Sequence, residues 1–268
     1  MITVTFIRHG ESEDNLKAIW AGWKDAPLSD LGRKQANALG EYFSSTPITH
    51  MYASPLLRAH ATAQFVHQHQ PHPKPPLIVN PHLREQHFGV AEGHPWVLHA
   101  PEGTPVETLF EQKIFPVLDG RDAKYPEAES LNDLARRAQV AIRECVLPHL
   151  PDVPIPKDQY SGVHVALASH GLCIGELIMA LIALDPEADK EQTHYGLMNT
   201  AWTRVDVRVR DGNHGPVNPE NSPALEVRVT HTNHREHLNS LKDLPPAHEE
   251  VDGARAEARA FFGGAKVQ

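Results

Sequence analysis

The chain predicts an α/β fold in which a mostly parallel sheet is covered by helices on both faces. Three observations lead there. Short runs rich in β-branched and aromatic residues alternate with segments of helical periodicity, several helical segments begin at recognisable capping residues, and 268 residues with 40% hydrophobic content suffice for one large core.

The first strand is expected over residues 2–7, Ile-Thr-Val-Thr-Phe-Ile, and breaks at Arg8-His9-Gly10, where a strand hands over to a loop. A helix is expected over residues 31–43 with Ser29 as its N-cap, then a strand over 48–53. The next helix, residues 56–67, has Ser54 as N-cap and Pro55 at its first position. A short strand follows at 77–80. From Leu131 onward Leu134, Ala135, Ala138, Ile142 and Cys145 keep helical spacing behind the capping pair Ser130 and Asp133, and Pro148 closes the helix. A strand at 163–168 leads into a helix over 171–184 that is apolar nearly all round, as a helix buried between neighbours is. Strands at 201–209 and 225–230 complete the set. Residues 67–76, 151–162 and 210–223, rich in Pro, Gly, His or Asn, are expected to be surface loops. The domain is placed at residues 1–245, and 246–268 is expected to be a surface helix or a mobile tail.

A net charge of -9 argues against nucleic-acid and anionic-membrane partners, since both select basic surfaces. Cys145 and Cys173 fall at apolar helical positions, so buried reduced thiols are expected rather than a disulfide. The N-terminus enters directly into a strand without a signal-like segment, and no stretch is apolar enough to span a bilayer, so a soluble cytoplasmic protein is expected.

Four islands of polar residues sit at predicted strand-to-loop junctions: Arg8-His9-Gly10 with Asn15, Arg58, Glu85, and Ser169-His170-Gly171. Taken singly, an arginine is usually solvated or ion-paired and a histidine can be a satisfied core residue. Together they form a set suited to phosphoryl transfer. Arg8 and Arg58 supply forks that stay charged and match phosphoryl oxygens. His9 is a neutral nucleophile if its second nitrogen is pinned, Glu85 can donate a proton to a departing alkoxide, and His170 adds a donor. The 19 histidines include two close groups, His67, His69 and His72, and His231, His234 and His237, but no carboxylate or cysteine completes a metal motif there. No metal and no cofactor are expected. Trp20, Trp23 and Trp96 are expected in packing or pocket walls.

R-H-G-E-S with a following Asn, S-x-L-x-R-A, L-R-E-x-x-F-G-x-x-E-G and S-H-G in this order resemble the histidine phosphatase superfamily, which includes cofactor-dependent phosphoglycerate mutases, over residues 2–241. The resemblance implies a three-layer α/β/α sandwich with a mixed sheet. It further implies a phosphohistidine at His9, phosphoryl contacts from Arg8, Arg58 and His170, and a proton donor at Glu85. Ser12 and Asn15 resemble phosphate contacts, while Ala21, Gly22, Gly171 and Asn199-Thr200 fall where the family approaches substrate. Ser12 and Ser130 also read as helix caps, and Glu92 as a solvent-facing residue. Glu127-Ala128-Glu129-Ser130 departs from the family's G-G-E-[ST] and puts the local backbone in question.

Leu83-Arg84-Glu85, Glu92-Gly93 and His237-Leu238-Asn239-Ser240-Leu241 look most like the TIGAR-type fructose bisphosphatases. Between Arg84 and Lys113 there is neither Lys nor Arg, whereas family mutases carry extra cations after the acid, so a phosphatase of small phosphorylated metabolites is expected ahead of a mutase or an idle binding module. Fructose 2,6-bisphosphate, bisphosphoglycerate, another sugar phosphate and a broad range of phosphomonoesters all stay open as substrates.

Overall fold

The computed structural model describes residues 1–97, 103–150, 161–190, 194–210 and 224–241. At its centre lies β1 (Ile2–Arg8), whose Ile2, Val4, Phe6 and Ile7 are fully buried. The chain continues through α1 (Asp30–Phe43), β2 (His50–Ala53), α2 (Leu57–His69) and β3 (Leu77–Val79). A cap segment follows, with two-residue strands β4 (Trp96–Val97) and β5 (Phe115–Pro116) on either side of the short helix α3 (Val106–Glu111). Then come α4 (Leu131–Cys145), β6 (His164–Ser169), α5 (Gly171–Ile182), β7 (Trp202–Val209) and β8 (Leu225–His234).

The main sheet has the order β3-β2-β6-β1-β7-β8. Pairings β1 with β6, β2 with β6 and β2 with β3 are parallel, and β7 runs antiparallel to both β1 and β8. Side chains alternate across this sheet and make two cores. On one face Val4, Phe6, Val165 and Leu167 meet Leu134 and Ile142 of α4 and Cys173 and Leu177 of α5. On the other, Ile7, Met51, Ala53, Ala166 and Ala168 meet Leu39 and Phe43 of α1 and Ala63 and Val66 of α2. Helices therefore cover both faces, which is the three-layer arrangement expected. A smaller cluster of Trp20, Phe88, Trp96, Phe115 and Tyr125 packs the cap segment.

Register places the site. Arg8 pairs with Ser169 and Ala53 with Ala168, so residues 9, 54 and 170 leave the sheet side by side at one edge. Because β7 runs the other way, with Trp202 opposite Ile7, residues 197–201 arrive at that same edge.

Most elements fall where the sequence puts them, Ser29 caps α1, and Ser130 and Asp133 form a full capping box on α4. Ser54 is a correction. α2 begins at Leu57 with Leu56 at the N-cap position, so Ser54 stands two residues ahead of the cap; its hydroxyl accepts from Leu56 N at 3.3 Å and also meets His170 Nε2 at 2.9 Å. β8 extends to His234 although residues 231–234 are polar, since it is held by backbone pairing to β7 on the outside of the sheet. Pro148 stands within a single 3-10 turn, Leu147–His149, just past α4. Residues with a left-handed backbone include Glu127 at φ 62° but not Ala128, which accounts for the tolerance of Ala in that motif. β4, α3 and β5 had no sequence signal, each being six residues or shorter. Loops 151–160 and 211–223 and the tail 246–268 lie outside the described residues.

Cys145 and Cys173 are buried and free, and burial pushes both thiols up to about 12. Among the described residues no helix is long and apolar enough to cross a membrane.

Burial also pushes His149, His164 and His237 down to about 4. A folded value below the unfolded one means that the unfolded chain binds more protons between those two values, so stability is full above about pH 6.5 and falls towards pH 4. The urea midpoint is expected to drop steadily between pH 7 and pH 4.5, with a shallower slope in His164→Gln. An unchanged slope in that variant would contradict a contribution from His164.

Candidate active site

β1 delivers Arg8 and His9 to the edge. The His9 amide donates to Ser169 O at 3.1 Å and its carbonyl accepts from Thr200 N at 3.1 Å, so the residue is clamped between β6 and the approach to β7. Its Nδ1 lies 2.7 Å from Gly10 O. A carbonyl only accepts, so Nδ1 carries the proton and Nε2 presents its lone pair. Gly10 is required: a Cβ there would come within 2.6 Å of Gly32 O in the first turn of α1. The Gly10 amide donates to Thr62 Oγ1 at 3.0 Å, tying the loop to α2.

Arg58, in the first turn of α2, is buried and donates to Gly22 O and Lys24 O, each at 2.8 Å. Arg8 donates through one terminal nitrogen to Leu197 O, while its Nε is buried without a partner among the described residues. His170 follows β6. Its Nε2 meets Ser54 Oγ at 2.9 Å, its Nδ1 is buried without a partner among the described residues, and its ring centroid is 5.1 Å from that of His9.

Glu85 comes from the other side of the sheet edge, after a 3-10 turn at Pro81–Leu83. Its carboxylate accepts from Leu172 N at 3.2 Å and Cys173 N at 3.0 Å in the first turn of α5. A Cβ on Gly171 would lie 3.8 Å from Arg8 Cζ and 3.9 Å from Glu85 Oε2, so the bare glycine separates guanidinium from carboxylate. The five residues read as the chemical set thus converge on one point.

The electrostatics follow from this burial. His9 and His170 are held well below the ordinary imidazole value, first by desolvation and then by Arg58 and the other neighbouring cations. Both are neutral at pH 7. Burial lowers Arg8 to about 10, partly opposed by Glu85, and lowers Arg58 in the same sense. Two buried guanidiniums and two neutral imidazoles with a spare lone pair and spare N–H groups make a socket suited to an oxyanion.

The other predicted residues form the rim. Ser12 is fully buried and caps no helix; its amide donates to Asn15 Oδ1 at 3.0 Å and its hydroxyl accepts from Asn15 N at 3.3 Å. Asn199 Nδ2 bridges His9 O and Asn15 Oδ1, each at 3.3 Å. Ala21 and Gly22 make the turn gripped by Arg58, and Gly22, at φ 48°, has Glu92 Oε1 2.1 Å from where a Cβ would be. Glu92 is not a solvent-facing residue: it accepts from Trp23 N at 2.8 Å and Phe88 N at 3.1 Å, which fixes that turn. Of the two histidine groups, His67 and His69 are engaged with the Pro75 and Phe65 carbonyls, and His237 meets Thr200 Oγ1 at 2.9 Å.

A cleft of about 290 Å³ adjoins this cluster, with Arg8 and Asn15 in its wall together with Trp96, Asn199, Arg235 and Leu238. His9, Arg58, Glu85 and His170 lie outside its lining, so Arg8 is the wall shared by socket and cleft.

Arg137 of α4 is the main residue that sequence reasoning missed. It donates to His82 O, Arg84 O and Glu85 O at 2.9, 2.7 and 3.0 Å, and to both oxygens of Glu129 at 2.9 and 2.7 Å. All its N–H donors are used, and Trp23 Nε1 donates to the same Glu85 carbonyl at 2.7 Å. A signal existed: Arg137 stands three after Leu134 and four before Ala141, on the inward stripe of α4.

The family model of the histidine phosphatase superfamily (branch 1) matches residues 4–214. The chain is 31% identical over 207 residues to a probable phosphoglycerate mutase of Proteus mirabilis, covering 77% of this chain and 85% of that protein. It is 30% identical over 206 residues to a probable phosphoglycerate mutase of Yersinia enterocolitica, with the same coverage. Among solved structures, "Mycobacterial hydrolase 1" superposes with a TM-score of 0.65 at 24% identity, covering 87% of this chain and 99% of that one. A mycobacterial glucosyl-3-phosphoglycerate phosphatase superposes with a TM-score of 0.60 at 22% identity, covering 86% and 98%. At such identities these structures show a shared fold.

Replacing Arg137 takes a charged donor from the His82, Arg84 and Glu85 carbonyls and from both oxygens of Glu129, leaving, among the described residues, Glu85 O only Trp23 Nε1 and the Glu129 carboxylate only the His87 amide. Arg137→Met is expected to lower the unfolding free energy by about 2–4 kcal/mol, measured by urea denaturation. A change within about 0.5 kcal/mol would show that water replaces the guanidinium without cost.

Proposed function

The chain belongs to the histidine phosphatase superfamily, and from that premise we propose that it is a metal-independent phosphatase of small phosphomonoesters, of the sugar phosphate or bisphosphate class, working through a phosphohistidine on His9. The observation that carries this is the pinned tautomer: Nδ1 donates to Gly10 O, so Nε2 is the free nucleophile. Arg8, Arg58 and His170 hold the phosphoryl oxygens, and their charge and dipoles are in place before the reaction starts. His9 Nε2 attacks phosphorus as the ester P–O bond breaks, and Glu85 gives its proton to the departing alkoxide oxygen. A water then passes a proton back to the Glu85 carboxylate and attacks the phosphohistidine, releasing phosphate and the neutral imidazole.

Support for Glu85 in this role comes from its position across Gly171 from Arg8, close enough to serve the same phosphoryl group. The second reading, a cofactor-dependent mutase, is favoured by the names of the relatives at 30–31% identity. Against it stands the absence of Lys and Arg between Arg84 and Lys113. A direct assay separates them: phosphate release across a metal-free panel of phosphorylated metabolites, beside conversion of 3-phosphoglycerate to 2-phosphoglycerate. Mutase turnover above hydrolysis would reverse the order.

His9→Ala is expected to lose activity by at least about 10³-fold and to lose an acid-labile phosphoenzyme that the parent protein forms. Glu85→Gln is expected to slow esters of poor leaving alcohols by about 10²–10⁴-fold and p-nitrophenyl phosphate, whose leaving group needs no proton, far less. Equal losses on both ester types would remove Glu85 from the proton transfer.

A further inference from the structure

We propose that Arg235 is a specificity-determining residue that binds a second oxyanion, carboxylate or phosphate, on the leaving alcohol of the substrate, seated in the cleft beside Arg8; this rests on the phosphatase assignment above. The cleft joins the phosphoryl socket through Arg8, so a group esterified to the bound phosphate has a place to lie there. At about 290 Å³ it is near the lower end of the range for small-molecule sites, about 300–1,000 Å³, and fits one small metabolite.

Its lining asks for acceptors. Asn15 uses its carbonyl oxygen to accept from Ser12 N and Asn199, and Gln35 uses its own to accept from Glu11 N, which leaves both side-chain amino groups uncommitted among the described residues. The two acids in the wall are already occupied: Glu11 accepts from the Ser29 hydroxyl at 2.8 Å, and Asp14 is 3.3 Å from Lys17 Nζ. Arg235 lines the same cleft, and its guanidinium has no hydrogen-bond or ion-pair partner among the described residues. In a chain of net charge -9, an uncommitted guanidinium at a cleft already walled by Arg8 marks a place for negative charge.

The wall is also rigidly built. Arg235 follows β8 and stands between two anchored neighbours: the His234 ring packs 4.5 Å from Trp202, and His237 bonds Thr200 Oγ1 at 2.9 Å. Thr200 in turn donates its amide to His9 O. The segment that carries Arg235 is therefore fastened to the nucleophile's own loop.

The test uses two pairs of esters that differ at the distal end: glycerol 3-phosphate against 3-phosphoglycerate for a carboxylate, and fructose 6-phosphate against fructose 1,6-bisphosphate for a phosphate. The parent protein is expected to favour the doubly anionic member of at least one pair by about tenfold or more in kcat/KM, mainly through KM, and the favoured pair identifies the anion. Arg235→Ala is expected to reduce that ratio about tenfold, equivalent to about 1.4 kcal/mol; Arg235→Lys is expected to restore part of it, since the charge remains and the fork does not. A parent ratio near one in both pairs, or a ratio unchanged in Arg235→Ala, overturns the proposal. Turnover of p-nitrophenyl phosphate reports separately on the phosphatase assignment. If the parent protein hydrolyses none of these esters, that assignment fails, and calorimetric Kd values for the same pairs on parent and Arg235→Ala decide the role of Arg235 by the same ratios.

Discussion

The parallel pairing of β1 with β6, with Arg8 opposite Ser169, is the constraint on which the site depends. Parallel strands end at the same edge, so the residues following them are neighbours without any help from loop conformation. His9 and His170 face each other for that reason. The antiparallel entry of β7 adds residues 197–201 to the same edge, which supplies Leu197 O to Arg8 and Thr200 N to His9. A slip of one residue between β1 and β6 would turn Val4 and Phe6 away from α4 and α5 and displace the two histidines together, so the core that sets the register also sets the chemistry.

Burying two arginines at one edge is costly, and the surrounding loops are arranged to offset it with backbone carbonyls rather than carboxylates. Arg58 is met by Gly22 and Lys24, Arg8 by Leu197, and the nearby Arg137 by His82, Arg84 and Glu85. Carbonyl dipoles steady a guanidinium without cancelling its charge. Among the described residues Arg137 alone of the three also pairs with a carboxylate, Glu129; Glu85, beside Arg8, is held by the amides of Leu172 and Cys173, so it keeps its own partners. The socket therefore retains unspent positive charge in a protein whose net charge is -9.

Much of this was legible in the sequence because the deciding residues announce themselves locally. The β-branched run at 2–7 broken by Arg-His-Gly, the cap at Ser29 and the Ser130–Asp133 box are short-range signals, and each stands where expected. Long-range partnerships were not legible. Ser54 looks like a helix cap and does accept from Leu56 N, but nothing local shows that its hydroxyl also meets His170, 116 positions away. Glu92 reads as a solvent-facing acid because nothing near it in the chain shows that the Trp23 amide needs an acceptor. The cap segment gives no local signal because its strands and helix are too short to show a period, and are held by Trp20, Phe88 and Tyr125 from elsewhere in the chain.

Separating the socket from the cleft separates two kinds of evolutionary freedom. Residues of the socket serve each other: His9 needs the Gly10 carbonyl for its tautomer, Gly10 must lack a Cβ because the Gly32 carbonyl lies against it, and Glu85 needs the start of α5 for its position, so a change at any one disturbs the rest. In the cleft wall Arg8, Asn15 and Asn199 are tied to the socket, whereas other parts of it are drawn from separate elements. Trp96 comes from the cap segment, Leu31 and Gln35 from α1, Arg235 from the residue after β8 and Leu238 from the 3-10 turn Glu236–Leu241. A phosphatase and a mutase can share the first set of residues unchanged. What distinguishes them is how long a doubly charged alcohol stays beside the phosphohistidine, and it is through that residence time that a cation of the wall, such as the one proposed at Arg235, would bear on the outcome.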